Sequence, residues 1–206
     1  NYIKIGLNVL YITCEMEEKR IAERIDANIM DIDIDDLTRI TKEKYDQKIK
    51  KYLKPIMGKL VIKEYPAASS NINHLRKLCQ ELKTKKNFIP DVIVVDYLNL
   101  MNSARFTGGK DSSYTTVKAT AEEVRGFAQE EEIVMWSATQ TNRDGLGASD
   151  LSLGNTSESV GLPFTADFMF GLVPIEELEQ KKQILGVQLK NRYGPLDPNR
   201  KFILGL

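Results

Sequence analysis

The chain has 206 residues, of which 42% are hydrophobic and 28% charged, as in an ordinary globular α/β domain or two very small domains. Its 29 basic and 29 acidic residues cancel, which excludes a strongly basic nucleic-acid-coating protein but leaves room for a locally basic loop. No hydrophobic run reaches the roughly 20 residues of a membrane span, and Cys14 and Cys79 lack metal-ligand spacing, as expected for thiols of a cytoplasmic protein.

The first half of the chain alternates predicted strands and helices. Residues 1–5 followed by Gly6 resemble the end of a helix. The run Val9–Thr13 is rich in β-forming residues and predicts a strand buried on both faces, and residues 60–62 predict a second strand. Hydrophobic residues at helical spacing predict three helices, over residues 17–29, 41–53 and 71–82. His74, the single histidine, lies on the third helix and is interpreted as neither a ligand nor a base.

An aspartate-dense run, residues 31–36, separates the first two of these helices. It could be a cation-binding loop or a solvated connector. Because it lacks the glycine and the closing glutamate of a calcium loop, we interpret it as a connector.

The second half begins with the most hydrophobic predicted strand, residues 92–95, and continues with a helix over 117–128 and a strand over 133–138. Polar stretches at 102–113 and 139–159 are predicted to be loops. Three closing strands joined by turns are predicted at 167–173, 183–190 and 201–204. This alternation predicts one α/β domain with a doubly wound, mostly parallel sheet flanked by helices and with extra C-terminal strands.

Three polar side chains follow the ends of predicted buried strands: Glu15, Asp96 and Gln140. In an open parallel sheet, ligands bind outside the carboxyl ends of the strands. An aspartate at such a position suits Mg²⁺, a second carboxylate could polarise a water molecule, and a glutamine could orient that water or sense a γ-phosphate. Each residue alone could simply meet solvent at a strand end, but the three together favour a nucleotide site.

A phosphate-binding loop of the form G-x-x-x-x-G-K-[ST] is absent from these residues. Residues 108–112 come near it, but Ala104 replaces the first glycine and Asp111 replaces the final serine or threonine. We therefore expect the phosphate loop upstream of Asn1, and the chain to be a fragment of a longer protein.

Two cations, Lys190 and Arg192, are spaced i, i+2 near the end of a predicted strand, so their side chains point the same way. They could form an anion clamp, or they could be two solvated cations at a strand end.

Four segments in order along the chain resemble motifs of the DnaB-like replicative helicases: residues 9–16, 91–101, 137–143 and 190–194. The second is similar to the family's "DYLQLM" motif, with Asn99 in place of glutamine. The resemblance covers nearly the whole chain and is strongest to the helicases of T-even-type phages, as residues 24–28, 113–119 and 159–163 indicate.

This resemblance implies roles for the residues already singled out. Glu15 would be the general base, Asp96 a carboxylate that binds Mg²⁺ directly or from the second coordination shell, and Gln140 the reporter of the γ-phosphate of ATP. Lys190 and Arg192 would act in trans on the nucleotide of a neighbouring subunit. Such a finger can contribute ~10³-fold or more to the rate.

The resemblance also implies a RecA-like ATPase domain spanning residues 1–206, without the phosphate loop and the N-terminal helical domain. In the full-length protein we expect a homo-hexameric ring in the cytoplasm of an infected host, with a primase and a helicase loader as partners and no membrane contact. The loops 102–113 and 141–159 would hold single-stranded DNA through three cations: Arg105, Lys110 and Arg143. The alternatives are a RecA-type recombinase and a non-catalytic RecA-like binding module.

Overall fold

A four-stranded parallel sheet with the order β2–β1–β3–β4 lies at the centre of the computed structural model. The structure describes residues 1–52, 57–106, 113–140, 161–196 and 198–205. The strands of the sheet are β1 (Val9–Thr13), β2 (Leu60–Glu64), β3 (Val92–Asp96) and β4 (Val134–Ser137). Both central strands, β1 and β3, are almost entirely buried, which confirms the expectation from their continuous hydrophobic runs.

Five α-helices separate these strands and two follow β4 in the described part of the chain. They are α1 (Glu18–Met30), α2 (Ile34–Arg39), α3 (Lys42–Tyr52), α4 (Ile72–Lys86), α5 (Ser113–Glu130), α6 (Gly161–Thr165) and α7 (Glu176–Glu179). The main core lies where α4 and α5 meet the sheet, with Leu75, Phe127 and Ile93 at most 1% exposed. Among the described helices, none is long and hydrophobic enough to cross a membrane.

The direction of the connections reverses between β1 and β3. From β1 the chain moves to β2 on one side, and from β3 it moves to β4 on the other. In such sheets the ligand crevice lies at this switch point, outside the carboxyl ends of the two strands. Thr13 at the end of β1 pairs in register with Asp96 at the end of β3. The topology therefore places the candidate site between these two strand ends.

The C-terminal strands form a second, antiparallel sheet with the order β5–β6–β7, comprising β5 (Phe168–Val173), β6 (Gln183–Asn191) and β7 (Lys201–Gly205). The predicted strands are confirmed, but the short helix α7 lies in the β5–β6 connection, where we expected only a turn. Trp136 of β4 meets Phe170 of β5 edge-to-face with ring centroids 6.2 Å apart, which brings the two sheets into contact.

The interpretation of residues 31–36 as a plain connector is wrong in its second half, because α2 begins at Ile34. Asp35 and Asp36 lie in its first turn, where negative charge favours the positive end of the helix dipole, and Arg39 lies in its last turn. At the chain's start, Ile3–Ile5 forms a short 3₁₀ helix that ends at Gly6 (φ 93°), as the glycine predicted.

Helix α4 begins with a capping box that involves the single histidine. The side chain of Asn71 accepts hydrogen bonds from the backbone N–H groups of Asn73 (3.0 Å) and His74 (3.4 Å). The backbone N–H of Asn71 donates to Nδ1 of His74 (3.2 Å). This arrangement satisfies orphan donors of the first turn, so His74 has a capping role that we did not predict.

Candidate functional site

The ends of β1 and β3 are joined by backbone and side-chain contacts. The N–H of Cys14 donates to the carbonyl oxygen of Asp96 at 2.7 Å. The hydroxyl of Thr13 accepts from the N–H of Met16 (3.0 Å) and donates to its carbonyl oxygen (2.8 Å). This closed turn leaves Glu15 exposed at the edge of the sheet, which is the position that its proposed chemistry requires.

The carboxylate of Asp96 has a tyrosine as its neighbour. The hydroxyl of Tyr11 donates to Oδ2 of Asp96 at 2.7 Å. Burial raises the pKa of Tyr11, and the hydrogen bond to Asp96 and its negative charge raise that pKa further, while the positive charge of Arg24 opposes them. The tyrosine is therefore held protonated, as a hydrogen-bond donor to this carboxylate.

The segment after β4 is connected to the segment after β3. The side-chain amide nitrogen of Gln140 donates to the hydroxyl of Tyr97 at 3.2 Å. One residue earlier, the hydroxyl of Thr139 donates to Oδ1 of Asn99 at 3.0 Å. Asn99 is the position at which this chain differs from the motif it resembles, and here it links the two segments.

A cavity of about 330 Å³ opens beside Glu15, between the segments that follow β1, β2 and β3. Its lining residues are Cys14, Glu15, Glu64, Tyr65, Pro66, Ala67, Tyr97 and Leu100. Neither Asp96 nor Gln140 contributes to that lining. The structure thus brings the three predicted residues to one edge of the sheet without enclosing them in a single cavity.

The donor set at this edge fits a magnesium ion that is held partly by phosphate. Among the described residues, no group of three or more His, Cys, Asp or Glu side chains could hold a metal ion. Mg²⁺ does not need such a group, because it often binds through one or two carboxylates together with substrate phosphates and water. Asp96 could supply that carboxylate. The G-x-x-x-x-G-K-[ST] loop that commonly holds the phosphates is not found in these 206 residues.

Lys190 and Arg192 lie together, at the C-terminal end of α6. The Nζ of Lys190 donates to the carbonyl oxygens of Pro163 (2.6 Å) and Phe164 (3.1 Å). Arg192 donates from Nη2 to the carbonyl oxygen of Phe164 (2.6 Å), and its Nε lies 2.8 Å from Oδ1 of Asp167. The pair therefore satisfies carbonyl groups that the end of a helix leaves without partners.

The environment of Lys190 destabilises its charged form. Partial burial lowers the pKa of Lys190, and the neighbouring charge of Arg192 lowers it further, while Asp167 opposes this effect. In the described part of the chain, no hydrogen bond or ion pair joins either cation to the residues at the parallel-sheet edge.

Of the three cations predicted to hold DNA, only Arg105 belongs to the described residues; Lys110 and Arg143 lie outside them. The Nη1 of Arg105 lies 2.7 Å from Glu122 and its Nε lies 3.6 Å from Glu123, both on α5. Its positive charge is thus already paired within the chain.

Comparison with known proteins gives a family match over nearly the whole chain: residues 1–197 match the DnaB-like helicase C terminal domain. The chain belongs to this family. It is 43% identical over 209 residues to the DnaB-like replicative helicase of Enterobacteria phage T4. The match covers 100% of this chain but only 44% of that relative. The expected resemblance is confirmed.

Two solved structures share the fold of this DnaB-like domain, each with a TM-score of 0.74 over 96% of the chain. One is a DnaB-like replicative helicase described with its interactions with primase, 19% identical, of which 48% is covered. The other is described as an ATPase domain, 20% identical, of which 70% is covered. They confirm the RecA-like, mostly parallel architecture that we expected.

Sequence reasoning missed the residues that support the predicted ones. Tyr11, Tyr97 and Asp167 each contact a predicted site residue, yet none was singled out. A signal for Tyr11 was available: it is the one residue of β1 that carries a polar group other than the terminal Thr13, in a strand otherwise made of aliphatic residues.

Proposed function

We propose that this DnaB-like domain is the motor domain of an ATP-dependent replicative DNA helicase that translocates on single-stranded DNA and unwinds duplex. The observation that carries the proposal is the placement of Glu15 and Asp96 at the carboxyl ends of the neighbouring strands β1 and β3, at the switch point of the sheet. The family match supports a helicase over a RecA-type recombinase or a non-catalytic module. Because the chain spans 44% of its T4 relative, the phosphate loop would come from another part of a longer protein.

Each residue at the sheet edge has a task in this proposal. Asp96 would hold Mg²⁺, which when bound to ATP neutralises charge on the β- and γ-phosphates. Glu15, exposed on the turn closed by Thr13, would accept a proton from the attacking water. Gln140 would respond to the γ-phosphate and pass that response through Tyr97 to the segment after β3.

Assembly into a homo-hexameric ring would complete the site. Lys190 and Arg192 make no contact with Glu15 or Asp96 within the described part of the chain, which suits a role toward the nucleotide of a neighbouring subunit. Arg105, with Lys110 and Arg143, would contact single-stranded DNA in the ring. A primase is the partner named for one structural relative, and we propose a primase and a loader as partners here.

The experiment that tests this proposal is Asp96→Asn in the complete protein. The substitution keeps the shape of the side chain but removes its negative charge, so Mg²⁺-dependent ATP hydrolysis should fall by about tenfold or more while the ring persists. Asp91→Asn is the matched control. Asp91 lies just before the amino end of β3, where its carboxylate accepts from the N–H of Asn8 at 2.7 Å, and its loss should leave turnover unchanged. Equal turnover in wild type and Asp96→Asn contradicts the proposal.

The 206 residues alone should not hydrolyse ATP at a useful rate. They lack the backbone N–H groups and the lysine that hold the β- and γ-phosphates. Robust Mg²⁺-dependent hydrolysis by this piece, abolished by Glu15→Gln, would show that phosphate binding uses residues other than a phosphate loop.

A further inference from the structure

We propose that Tyr11 is a positioning residue that fixes the Asp96 carboxylate in the orientation that binds magnesium. The inference rests on the proposed function, because it takes Asp96 to be the magnesium carboxylate. Its basis in the structure is the 2.7 Å hydrogen bond from the Tyr11 hydroxyl to Oδ2 of Asp96.

The register of the sheet explains why these two residues meet. Tyr11 pairs with Val94, and Asp96 is two residues further along β3, so both side chains lie on the same face of the sheet. Two residues along a strand correspond to roughly 6.6 Å, a distance that the long tyrosine side chain spans. A hydrophobic side chain at position 11 could pack on this face but could not donate a hydrogen bond.

The hydrogen bond selects one orientation of a group that otherwise rotates freely. The terminal torsion of an aspartate has a broad energy minimum, so an unsupported carboxylate at a strand end samples many orientations. The Tyr11 hydroxyl donates to Oδ2 of Asp96, and in the described part of the chain no group donates a hydrogen bond to Oδ1 of that carboxylate. The carboxylate therefore presents Oδ1 for a metal ion, with its orientation already determined before the ion binds.

The position of Tyr11 makes this support stable. Tyr11 is half-buried on the central strand β1, between β2 and β3, so its ring has little freedom to leave the carboxylate. Its phenolic hydroxyl donates the 2.7 Å hydrogen bond directly to Oδ2 of Asp96. A bond from a fixed donor to an ionised acceptor is among the stronger kinds of hydrogen bond in proteins.

The chain contains a second tyrosine–aspartate pair that serves as a matched control. The hydroxyl of Tyr45 on α3 donates to Oδ2 of Asp26 on α1, also at 2.7 Å. This pair joins two helices and lies at no strand end. Tyr45→Phe thus removes the same kind of hydrogen bond as Tyr11→Phe, without touching the sheet edge.

The test measures ADP affinity by calorimetry in the complete protein, with Mg²⁺ and with the metal chelated. The quantity of interest is the gain in affinity that Mg²⁺ produces. Asp96→Asn should abolish this gain, Tyr11→Phe should reduce it about tenfold, the usual cost of losing a group that orients a metal ligand, and Tyr45→Phe should leave it unchanged. Metal-free ADP affinity should be equal in all four proteins, and thermal unfolding checks that each is folded.

The outcomes separate the inference from the proposed function. If Asp96→Asn abolishes the gain while Tyr11→Phe matches wild type, Tyr11 is not a positioning residue and the proposed role of Asp96 stands. If Asp96→Asn retains the gain, the magnesium role of Asp96 is wrong and the inference falls with it. Should Tyr11→Phe fail to fold, Tyr11→Met fills the same space with a flexible side chain that donates no hydrogen bond, and the same two results decide.

Discussion

Arg105 and Glu122 form an ion pair, with Nη1 of the arginine 2.7 Å from a carboxylate oxygen of the glutamate. The carboxylate of Glu123, the next residue on α5, binds residues 103–105 through one hydroxyl group and two backbone N–H groups. It accepts hydrogen bonds from the hydroxyl of Ser103 (2.6 Å) and from the N–H groups of Ala104 (2.9 Å) and Arg105 (3.3 Å). Two consecutive carboxylates thus hold the start of the segment proposed to contact DNA, and a DNA phosphate must displace Glu122 to reach Arg105.

Removing this competitor should strengthen DNA binding. We expect Glu122→Gln to raise the affinity of the complete protein for single-stranded DNA about two- to fivefold, the equivalent of a surface ion pair of up to about 1 kcal/mol. Fluorescence anisotropy with a labelled oligonucleotide, at low and high salt, measures this change. The gain should shrink at high salt because the contacts are electrostatic.

Glu130→Gln is the control for this prediction, because Glu130, the last residue of α5, pairs with Arg76 of α4. Glu130→Gln removes the same negative charge but should not raise the affinity for single-stranded DNA at low salt as Glu122→Gln does. If both variants gain equally, the effect is one of overall charge, and Arg105 has no special role in DNA binding.

The parts of the fold that the sequence predicted best are those with a continuous hydrophobic pattern. β1 has the predicted bounds because a continuous hydrophobic run of this length indicates a strand that is buried on both faces. α2 was missed because aspartates are poor helix formers in the interior, and only their position in a first turn makes them favourable. The pattern does not reveal that β5–β7 pair with one another as a separate sheet, since pairing depends on tertiary contacts.

In the candidate site too, some features could be predicted from the sequence and others could not. Glu15, Asp96 and Gln140 could be located because parallel strands bring their carboxyl ends to one edge. Tyr11 stands out in its strand as a polar side chain, but its bond to Asp96, like that from Arg192 to Asp167, could not be predicted. These bonds depend on side-chain reach between neighbouring strands or across a loop, and no spacing in the sequence encodes such contacts.

The capping box of α4 should contribute measurably to stability. Asn71→Ala removes the acceptor for two N–H groups of the first turn, so the free energy of unfolding should fall by about 1 kcal/mol. Urea denaturation measures the difference. Asn73→Ala is the control: Asn73 is exposed in the same turn and contributes its backbone N–H to the cap, so this substitution should cost less than about 0.5 kcal/mol. Equal losses in the two variants would show that the cap adds nothing.

The thiol of Cys79 should be unreactive at neutral pH. Burial, with a smaller effect of Glu131, raises its pKa to about 11. At pH 8 about 0.1% of it is thiolate, against roughly a quarter for an ordinary cysteine, so alkylation should be about 250-fold slower than in the unfolded chain. In a Cys14→Ser background, the rate of reaction with iodoacetamide should rise tenfold per pH unit until about pH 11. A plateau near pH 8.5 would contradict this.

The raised pKa of Cys79 also makes the free energy of unfolding depend on pH in the alkaline range. Because the pKa of Cys79 is higher in the folded chain than the roughly 8.5 of an unfolded one, loss of the proton favours unfolding. The contribution of the protonated thiol is complete below about pH 8.5 and is lost as the pH rises toward about 11. Cys79→Ser should remove this part of the pH dependence, as urea titrations at pH 7 and pH 10.5 would show.

The final prediction concerns the role of Arg192 across a subunit boundary. In the single chain its guanidinium is paired with Asp167 and its Nη2 with the carbonyl oxygen of Phe164. Arg192→Ala should spare nucleotide binding, which the proposal assigns to Asp96 and the phosphate loop of the same subunit, and lower hydrolysis by about 10³-fold. Asp167→Asn should spare hydrolysis, since it removes the carboxylate that pairs with Arg125 and Arg192 within the chain but leaves the guanidinium of Arg192 in place.

Mixing two inactive variants decides whether Arg192 acts in trans. Subunits with Arg192→Ala keep Glu15, and subunits with Glu15→Gln keep Arg192, so an interface between them in the right order regains both groups. Mixed rings should therefore hydrolyse ATP faster than either pure variant, although only in part, because some interfaces pair wrongly. Steady-state hydrolysis is measured across mixing ratios after subunit exchange has been confirmed. If exchange is complete and no mixture exceeds the sum of its components, Arg192 acts within its own chain, where its bonds to Asp167 and the end of α6 then describe its whole role.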